Sequence, residues 1–570
     1  MNNDKVAQVL YEIADLLELK GVEFKPVAYR RAARNIEELD KDIEEYYRQD
    51  KLREIPGVGE AIAKKIAEII QSGELNYLKG LKEELPVGLL RIMEVPEIGP
   101  KTIMRLYKEL RITNLQELKK AAEEHKIRKL KGLGDRSEKN ILKGIKLLEQ
   151  RTGRMLLGYA YFYGKGIIDY LVTIGGYQFI SVAGSLRRMK ETIGDIDILV
   201  GSDESEKVMD VFVKNPNVSE IIARGDTKSS IRLKEGVQVD IRVVSTDSYG
   251  AALQYFTGSK EHNISLRSLA IDNGLKINEY GVFKKDTDKR IAGRTEEEVY
   301  AALGLELMPP EIRENRGEIK AAIEHRLPTL IELEDIRGDL HVHSTLSDGG
   351  ATVEEIVLEA VKKGYEYIGI TDHSESLKVA GGVSREDLMK NIEKVREVSE
   401  SAGGIRVLMG AEVEIRNDGT LDYPDSVLKD LDFTVGAVHT GFKMDEKEMT
   451  QRIITAMSND HFTILAHPTG RVLEQRGPYN VDIDKVIDAA SEKEVFLELN
   501  ALPERLDLND LNCRKAKERG ATLAMGTDAH SIAQLNYMMF GVATGRRGWL
   551  EKKNVLNTLP LKDLERSLGI

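Results

Sequence analysis

IGDIDILV (193–200) and VQVDIRVV (237–244) are the two runs on which the reading of this sequence turns. Both are short and rich in β-branched residues, so each predicts a strand. Asp195 and Asp197 stand two positions apart, which sends both side chains from one face of the first run. Asp240 stands on the second run, which can lie beside the first. Three carboxylates converging from two strands make a hard, oxygen-rich site suited to two Mg²⁺ or Mn²⁺ ions. A bare Asp-x-Asp is more often a solvated strand edge. Here AGSLRR (183–188) precedes it, after a further β-rich run, FISVAG (179–184). Gly184 and Ser185 would offer backbone and hydroxyl donors to phosphate groups, with Arg187 or Arg188 nearby.

Upstream, residues 1–150 read as helices. Val6, Val9, Leu10, Ile13, Leu16 and Leu17 recur at helical spacing, and Pro/Gly turns separate the segments. IPGVGEAIAKKIAEII (55–70) sets Gly57 and Gly59 between an apolar stretch and a helix start, where bare backbone amides can approach a phosphate. The arrangement recurs around Gly99 in VPEIGPKTIMRLY (95–107), with Glu97 in place of the first glycine, and around Gly132 and Gly134 in LKGLGDRSEKNIL (130–142). One such turn also closes ordinary helical hairpins. Three copies point to sequence-independent contacts with a nucleic-acid backbone.

The net charge of −12 hides an asymmetry. Residues 339–570 hold 28 Lys and Arg against 39 Asp and Glu, so the acidity belongs almost wholly to the C-terminal part. Lys126, Arg128, Lys129, Lys131, Arg136, Lys139, Lys143 and Lys146 face only Asp135 and Glu138, a basic stripe that can contact phosphates or be a solvated face. The sole cysteine, Cys513, rules out an internal disulfide and a thiolate metal cluster, so any metal must be held by His, Asp and Glu. The opening residues carry no basic stretch followed by an apolar block, and no apolar run is long enough to span a bilayer. A cytoplasmic, membrane-free monomer is expected.

Of ten histidines, seven lie after residue 338. There GDLHVHS (338–344), YIGITDH (367–373), VLMGAEVEI (407–415), FTVGAVHT (433–440), FTILAHP (462–468), VFLELN (495–500) and TLAMGTDAH (522–530) alternate with helical stretches. Repeated βα units predict a barrel of parallel strands whose C-terminal ends converge on one mouth. That geometry gathers His341, His343, Asp348, His373, Glu412, His439, His467, Asp528 and His530. A single strand-end histidine is more often structural, but this set suits three divalent ions, and mixed imidazole and carboxylate ligands favour Zn²⁺, Mn²⁺ or Fe²⁺. Arg471 follows His467 and could bind a phosphate, whereas His461 falls outside the set.

The GS…DxD…D order is that of the nucleotidyltransferase superfamily. YFTGSKEHNISLR (255–267) narrows it, because it closely resembles the thumb of DNA polymerase beta and the X family. That resemblance covers nearly all of residues 1–315. It implies that Asp195, Asp197 and Asp240 are metal ligands, with Asp240 the general base. By the same likeness Ser185, Arg188 and Arg151 contact a deoxynucleoside triphosphate. Tyr255, Phe256, Gly258 and Ser259 would form the turn beneath the sugar, with a cis Gly258–Ser259 peptide, and Asn263 and Arg267 would reach the minor groove of gapped or primed DNA. FKPVAYRRAA (24–33) and Lys65 resemble the family's deoxyribose-phosphate lyase domain. Lys65 matches its Schiff-base lysine and Lys25 and Tyr29 its supporting residues, while Ala61 and Tyr77 replace two basic positions. Lys65 can equally be a solvated residue that touches DNA.

The C-terminal set resembles the polymerase and histidinol phosphatase (PHP) domain, whose barrel binds three metals with these nine positions. The resemblances together imply a multidomain chain: a lyase-like helical domain (1–88), helix-hairpin-helix fingers (89–150), an α+β palm (151–248), a helical thumb (249–315), a linker (316–337) and an α/β (βα)₇ distorted TIM-like barrel (338–570). They imply a short-gap repair polymerase whose barrel is a 3′–5′ exonuclease that also cuts at abasic sites. A small-molecule phosphatase and a structural scaffold remain as other readings of the barrel.

Overall fold

The computed structural model describes residues 3–570 apart from 23, 38, 40–42, 73–74, 76, 79, 82–84, 87, 94, 96–97, 114, 131–132, 151–153, 176 and 178. The chain divides into two compact units, Met1–Thr152 and Gly153–Ile570.

The first unit is helical among its described residues. Val6, Leu10, Ile13 and Leu17 line one face of the helix Asn3–Leu19 and are buried against the helix Lys25–Glu37. The three expected turns each lead into a helix: Glu60–Ser72, Pro100–Leu110 and Asp135–Gln150. Gly57 takes a φ of +79°, and a Cβ there would lie 3.1 Å from Arg31 Cγ, so this turn needs glycine on both counts. Gly99 caps the second helix in extended conformation, with Pro100 at its first position, where the missing N–H costs nothing. The basic stripe carries less free charge than its sequence suggests. Buried Glu138 accepts from Arg128 Nε at 2.7 Å and faces His125, while Lys126 and Lys139 pair with Glu124 and Asp135.

The second unit opens with a five-stranded sheet in the order Phe179–Val182, Ile196–Gly201, Gln238–Val244, Lys228–Leu233, Val218–Arg224. The strand Ile196–Gly201 runs parallel to Gln238–Val244 with Asp197 directly opposite Asp240, and the other pairings are antiparallel. Ile196, Ile198, Val200, Val239, Ile241 and Val243 point to the face covered by the helices Leu157–Gly175 and Ser205–Val213. Phe540 and Leu506, from the C-terminal part of the chain, belong to this same buried cluster. Palm and barrel therefore share apolar packing.

The thumb follows: helices Tyr249–Thr257 and Lys260–Asp272, a three-stranded antiparallel sheet, and the helix Glu296–Ala302. The stretch expected to be a linker is built into it. Its helix Glu318–Ile323 places Ala322 in the thumb's core, and buried Glu318 binds His262 Nδ1 at 2.7 Å. Arg313 is wholly buried and donates to Glu296 at 2.5 Å and to the Met308 carbonyl at 2.8 Å. Glu296 also receives both Nη atoms of Arg187, at 2.9 and 2.6 Å. Burial alone would raise the Glu296 carboxyl, but Arg187 and Arg313 hold it down to about 2.

In the C-terminal part parallel strands form two sheets, Gly338–Asp339, Tyr367–Ile370, Arg406–Met409 and Glu412–Glu414, Val435–Ala437, Ile464–Leu465, Phe496–Asn500, Leu523–Gly526. The run 407–415, expected as one strand, breaks at Gly410–Ala411. At Gly410 a Cβ would lie 2.8 Å from the Phe433 ring, and the chain steps there from one sheet to the other. Isolated bridges His373–Glu412 and Val342–Ala529 join the sheets into the expected barrel.

Because Glu296 is shared by two arginines, Glu296→Gln should cost about 3–5 kcal/mol, as is typical when one partner of a buried ion pair is removed. The depressed carboxyl contributes stability above the ordinary carboxylate range and loses it as pH falls towards about 2, so the deficit of the variant should shrink on acidification. Calorimetric unfolding of both proteins across pH is the measurement, and coincident transitions at neutral pH would contradict the account.

Candidate functional site

Asp195, Asp197 and Asp240 come together: each offers a carboxylate oxygen, all within 4.8 Å of one another. Asp197 and Asp240 do so because they are opposed on parallel strands. Asp195 lies one residue before the strand rather than on it, and is exposed. Burial, then the Asp195 and Asp240 charges, push Asp197 up to about 7. A divalent cation would relieve both the burial of the charge and the mutual repulsion, so the donor set fits such an ion. Two neighbours unforeseen from sequence orient Asp240: Gln238 Nε2 donates to Oδ1 at 3.0 Å, and Lys228 Nζ stands 3.3 Å from Oδ2. Gln238 lay open to discovery, two residues before Asp240 on the same strand face, whereas Lys228 comes from the adjacent strand.

The approach to the triad is tight. Gly184 has a φ of +59°, and a Cβ there would sit 2.2 Å from Asp197 Oδ2, which excludes any side chain. Ser185 follows in the short helix Gly184–Arg187. Arg188 is engaged elsewhere: its Nε donates to Glu314 at 3.0 Å and its Nη1 to the Thr257 carbonyl. The Gly258–Ser259 peptide is cis, as the resemblance implies. Tyr255 and Phe256 meet edge to face at 5.1 Å, with Arg242 over the Phe256 ring at 4.5 Å. Asn263 is buried, its amide donating to the Tyr255 carbonyl at 2.7 Å, and exposed Arg267 donates to the Asn263 carbonyl at 3.2 Å.

At the barrel mouth the nine expected ligands converge. His343, Asp348, His373 and His530 form one group, His341, His343 and Asp528 a second, and His373, Glu412 and His439 a third. His467 joins the third through Glu412, at 3.0 Å. His343 and His373 are each shared by two groups, the arrangement that three neighbouring ions require. His343 Nδ1 and His467 Nδ1 are buried without a hydrogen-bond partner among the described residues, as befits nitrogens that bind a cation. Burial, then His530 and His373, depress His343 to about 3, so it is neutral and able to ligate. His467 and Asp528 hold positive φ angles of 27° and 52°, a strain often found at functional sites.

Behind the ligands stand acids that the sequence reading passed over. Glu498 accepts from His341 Nδ1 at 2.6 Å and from the His467 amide at 2.6 Å. Glu414 binds His439 Nδ1 at 3.0 Å. Each lies on a barrel strand, inside a run already singled out, and carboxylates orienting ligand imidazoles are a general feature of metal sites. Arg471 is committed to the Leu506 carbonyl and to Glu191, at 2.9 Å. Arg505 stands nearer the ligands, its Nε 3.3 Å from Asp528 Oδ2 and its Nη1 buried without a hydrogen-bond partner among the described residues. His461 lies outside the groups; its carbonyl accepts from Thr434.

In the helical unit Lys65 Nζ lies 4.6 Å above the Tyr77 ring. Burial, then the nearby Lys25 charge, lower the Lys65 ammonium, while burial and Tyr77 raise Tyr29 to about 12. Lys25, Tyr29, Lys65 and Tyr77 are thus brought together, and Tyr77 covers the ammonium where the lyase resemblance calls for a basic residue. Gly59, Gly99 and Gly134 are exposed, with open space before each. Gly132 and Arg151 lie outside the described residues.

Comparison with known families agrees with this architecture. The DNA polymerase beta thumb matches residues 252–314 and the PHP domain 339–501. A helix-hairpin-helix domain matches 1–75 and a SAM-like helix-hairpin-helix tandem 89–147. The DNA polymerase/3′-5′ exonuclease PolX of Bacillus subtilis (strain 168) is 40% identical over 574 residues, 100% of this chain and 99% of its own. DNA polymerase lambda of Rattus norvegicus is 24% identical over 347 residues, 55% of this chain and 56% of its own. A probable phosphatase of Thermoanaerobacter sp. (strain X514) is 32% identical over 249 residues, 40% of this chain and 96% of its own. A beta-type thumb and a PHP barrel in one chain define a DNA polymerase of family X that carries a PHP domain. The chain belongs to the bacterial PolX family. Among the described residues no helix is long and apolar enough to cross a membrane.

If Glu498 fixes the ligand imidazole of His341, Glu498→Gln should weaken metal retention by about 10–100-fold. Elemental analysis of the full chain after dialysis against graded Mn²⁺ reads this directly. Undiminished metal content would relegate Glu498 to packing.

Proposed function

We propose that the chain fills short gaps in DNA by nucleotidyl transfer, and that its barrel trims 3′ ends and incises abasic sites. The observation that carries the first part is the convergence of Asp195, Asp197 and Asp240 beside a Gly184 that admits no side chain. The name of the B. subtilis relative supports nucleotide addition and 3′ trimming. Asp195, Asp197 and Asp240 would hold two Mg²⁺ or Mn²⁺ ions, and the nine barrel ligands three of Mn²⁺, Zn²⁺ or Fe²⁺. Such ions, when bound, supply Lewis acidity and offset charge at the reacting phosphate.

The side chains do the rest. Asp240, oriented by Gln238 and Lys228, accepts the proton of the primer 3′-hydroxyl as its oxygen bonds to the α-phosphorus and the bond to pyrophosphate breaks. Gly184, Ser185, Arg188 and Arg151 bind the triphosphate. Tyr255, Phe256, Gly258 and Ser259 support the sugar, and Asn263 and Arg267 contact the nascent pair. Gly57, Gly59, Gly99, Gly132 and Gly134 present backbone to DNA phosphates, which gives position without sequence preference. In the barrel, Arg505 joins Arg471 in the phosphate role, since each keeps a buried donor without a hydrogen-bond partner among the described residues and Arg505 stands beside Asp528. The chain acts as a cytoplasmic monomer, with the functional divisions at 88, 150, 248 and 337.

Asp240→Asn should reduce primer extension at least about a hundredfold while 3′ trimming continues, because only the palm loses a ligand. His341→Ala/His343→Ala should do the reverse. Both are measured on end-labelled primed and gapped DNA with Mn²⁺. Loss of both activities in either variant would mean that the centres are not independent. Hydrolysis of histidinol phosphate but not DNA by the wild type would assign the barrel to phosphatase chemistry, which the Thermoanaerobacter likeness favours.

Lys65 is proposed as the lyase nucleophile: its amine adds to the open-chain aldehyde of an abasic sugar and water leaves to form the Schiff base. Borohydride should then trap the wild type, but not Lys65→Ala, on DNA with a 5′-deoxyribose phosphate. A wild type that gives no adduct would leave Lys65 as a DNA contact.

A further inference from the structure

Arg188, read above as a triphosphate contact, is bound in this structure to a buried carboxylate that a residue of the barrel also holds. Glu314 Oε1 accepts from Arg188 Nε at 3.0 Å and from Arg547 Nη1 at 3.0 Å. The same Nη1 lies 2.7 Å from the Arg188 carbonyl, so it also fixes the backbone that carries the side chain. Arg547 ends the barrel helix Met538–Arg547, and its other Nη donates to Asp510 at 2.8 Å, which Arg316 binds at 2.9 Å. The side chains of Arg188, Glu314 and Arg547 are 11%, 10% and 4% exposed, so water can do little to replace a lost partner.

To turn its Nε and Nη1 edge to a triphosphate, Arg188 must leave Glu314 and the Thr257 carbonyl. A buried carboxylate stripped of its cation is strongly unfavourable, and that cost would be charged against nucleotide binding. Arg547 removes most of it, because Glu314 stays paired when Arg188 departs. Since both cations use the same oxygen, Arg547 also weakens the hold of Glu314 on Arg188 before departure. We infer that Arg547 is a positioning residue for nucleotide binding in the polymerase site, through which the barrel sets the ease with which Arg188 is released from Glu314. The inference rests on the reading of Arg188 as a triphosphate contact.

In steady-state single-nucleotide insertion by the full chain, Arg547→Met should raise the KM for the deoxynucleoside triphosphate about tenfold, with kcat changed less than about twofold and Mn²⁺-dependent 3′ trimming intact. Arg547→Lys, which keeps the charge but not the fork, should fall between. Adding Glu314→Gln to Arg547→Met should return KM to that of Glu314→Gln alone, at or below the wild-type value, a rescue that a merely structural role for Arg547 would not give. Glu314→Gln alone should lower KM several-fold, and it decides the matter if Arg547→Met loses both activities through misfolding. A KM unmoved by Arg547→Met in a protein that still trims DNA, no rescue in the double variant, or an unchanged or raised KM in Glu314→Gln alone would overturn the inference. Arg188→Ala separates the two readings. If it leaves KM unchanged, the triphosphate contact itself is wrong; if it raises KM while the Arg547 and Glu314 variants do not behave as stated, only the coupling is wrong.

Discussion

A charge taken out of water must find a partner, and the unit Gly153–Ile570 is arranged around that constraint. Arg313, Glu296 and Arg187 alternate in sign through the thumb towards the palm, and Arg188, Glu314, Arg547, Asp510 and Arg316 alternate from the palm into the barrel. Every member has a neighbour of opposite sign within hydrogen-bond reach. Against this background the palm triad stands out. There three carboxylates meet with Lys228 as the near cation, and the charge they still lack is that of a divalent ion. The barrel mouth gathers a second donor set of another kind, imidazoles interleaved with Asp348, Glu412 and Asp528.

What holds these centres in shape is ordinary packing with a few constrained backbone positions. The palm places Asp197 and Asp240 by strand register alone, since one parallel pairing sets them side by side. Gly184 then lets the chain pass close to Asp197, where any Cβ would collide. In the barrel the task falls to buried acids behind the ligands, with Glu498 gripping both the ring of His341 and the backbone of His467. That double contact lets one side chain orient two ligands on different strands.

Much of this was legible in the sequence because the relevant signals are local. A period of two put Asp195 and Asp197 on one face, and apolar runs ending in His or Asp located the barrel mouth. The remainder lay in relations that a linear reading does not carry. Lys228 reaches Asp240 only because their strands are adjacent. The glycine at the break, Gly410, is required by Phe433, which lies on a different βα unit and would meet any Cβ there. Arg471 is near His467 in sequence, and Glu191 and the Leu506 carbonyl hold one of its Nη atoms, whereas Arg505 lies beside Asp528 only in space. The stretch 316–337, expected to be a linker, instead supplies Ala322 to the thumb's core and Glu318 to His262.

The packing between palm and barrel bears on how two chemistries share one chain. Phe540 meets Tyr161 and Phe162 edge to face at 5.7 and 6.3 Å, and Phe540 and Leu506 are buried within the palm's own apolar cluster. A Cβ on Gly158 would come within 2.9 Å of Pro503, so the palm's first helix has no slack against the barrel. Dispersion and hydrophobic contacts of this kind tolerate little sliding, and the arginine and carboxylate chain fixes their register further. Tethering by a flexible segment would raise the local concentration of DNA ends at the barrel but leave its orientation free. A shared core fixes both. The polymerase triad and the barrel mouth therefore stand at a set separation within this unit.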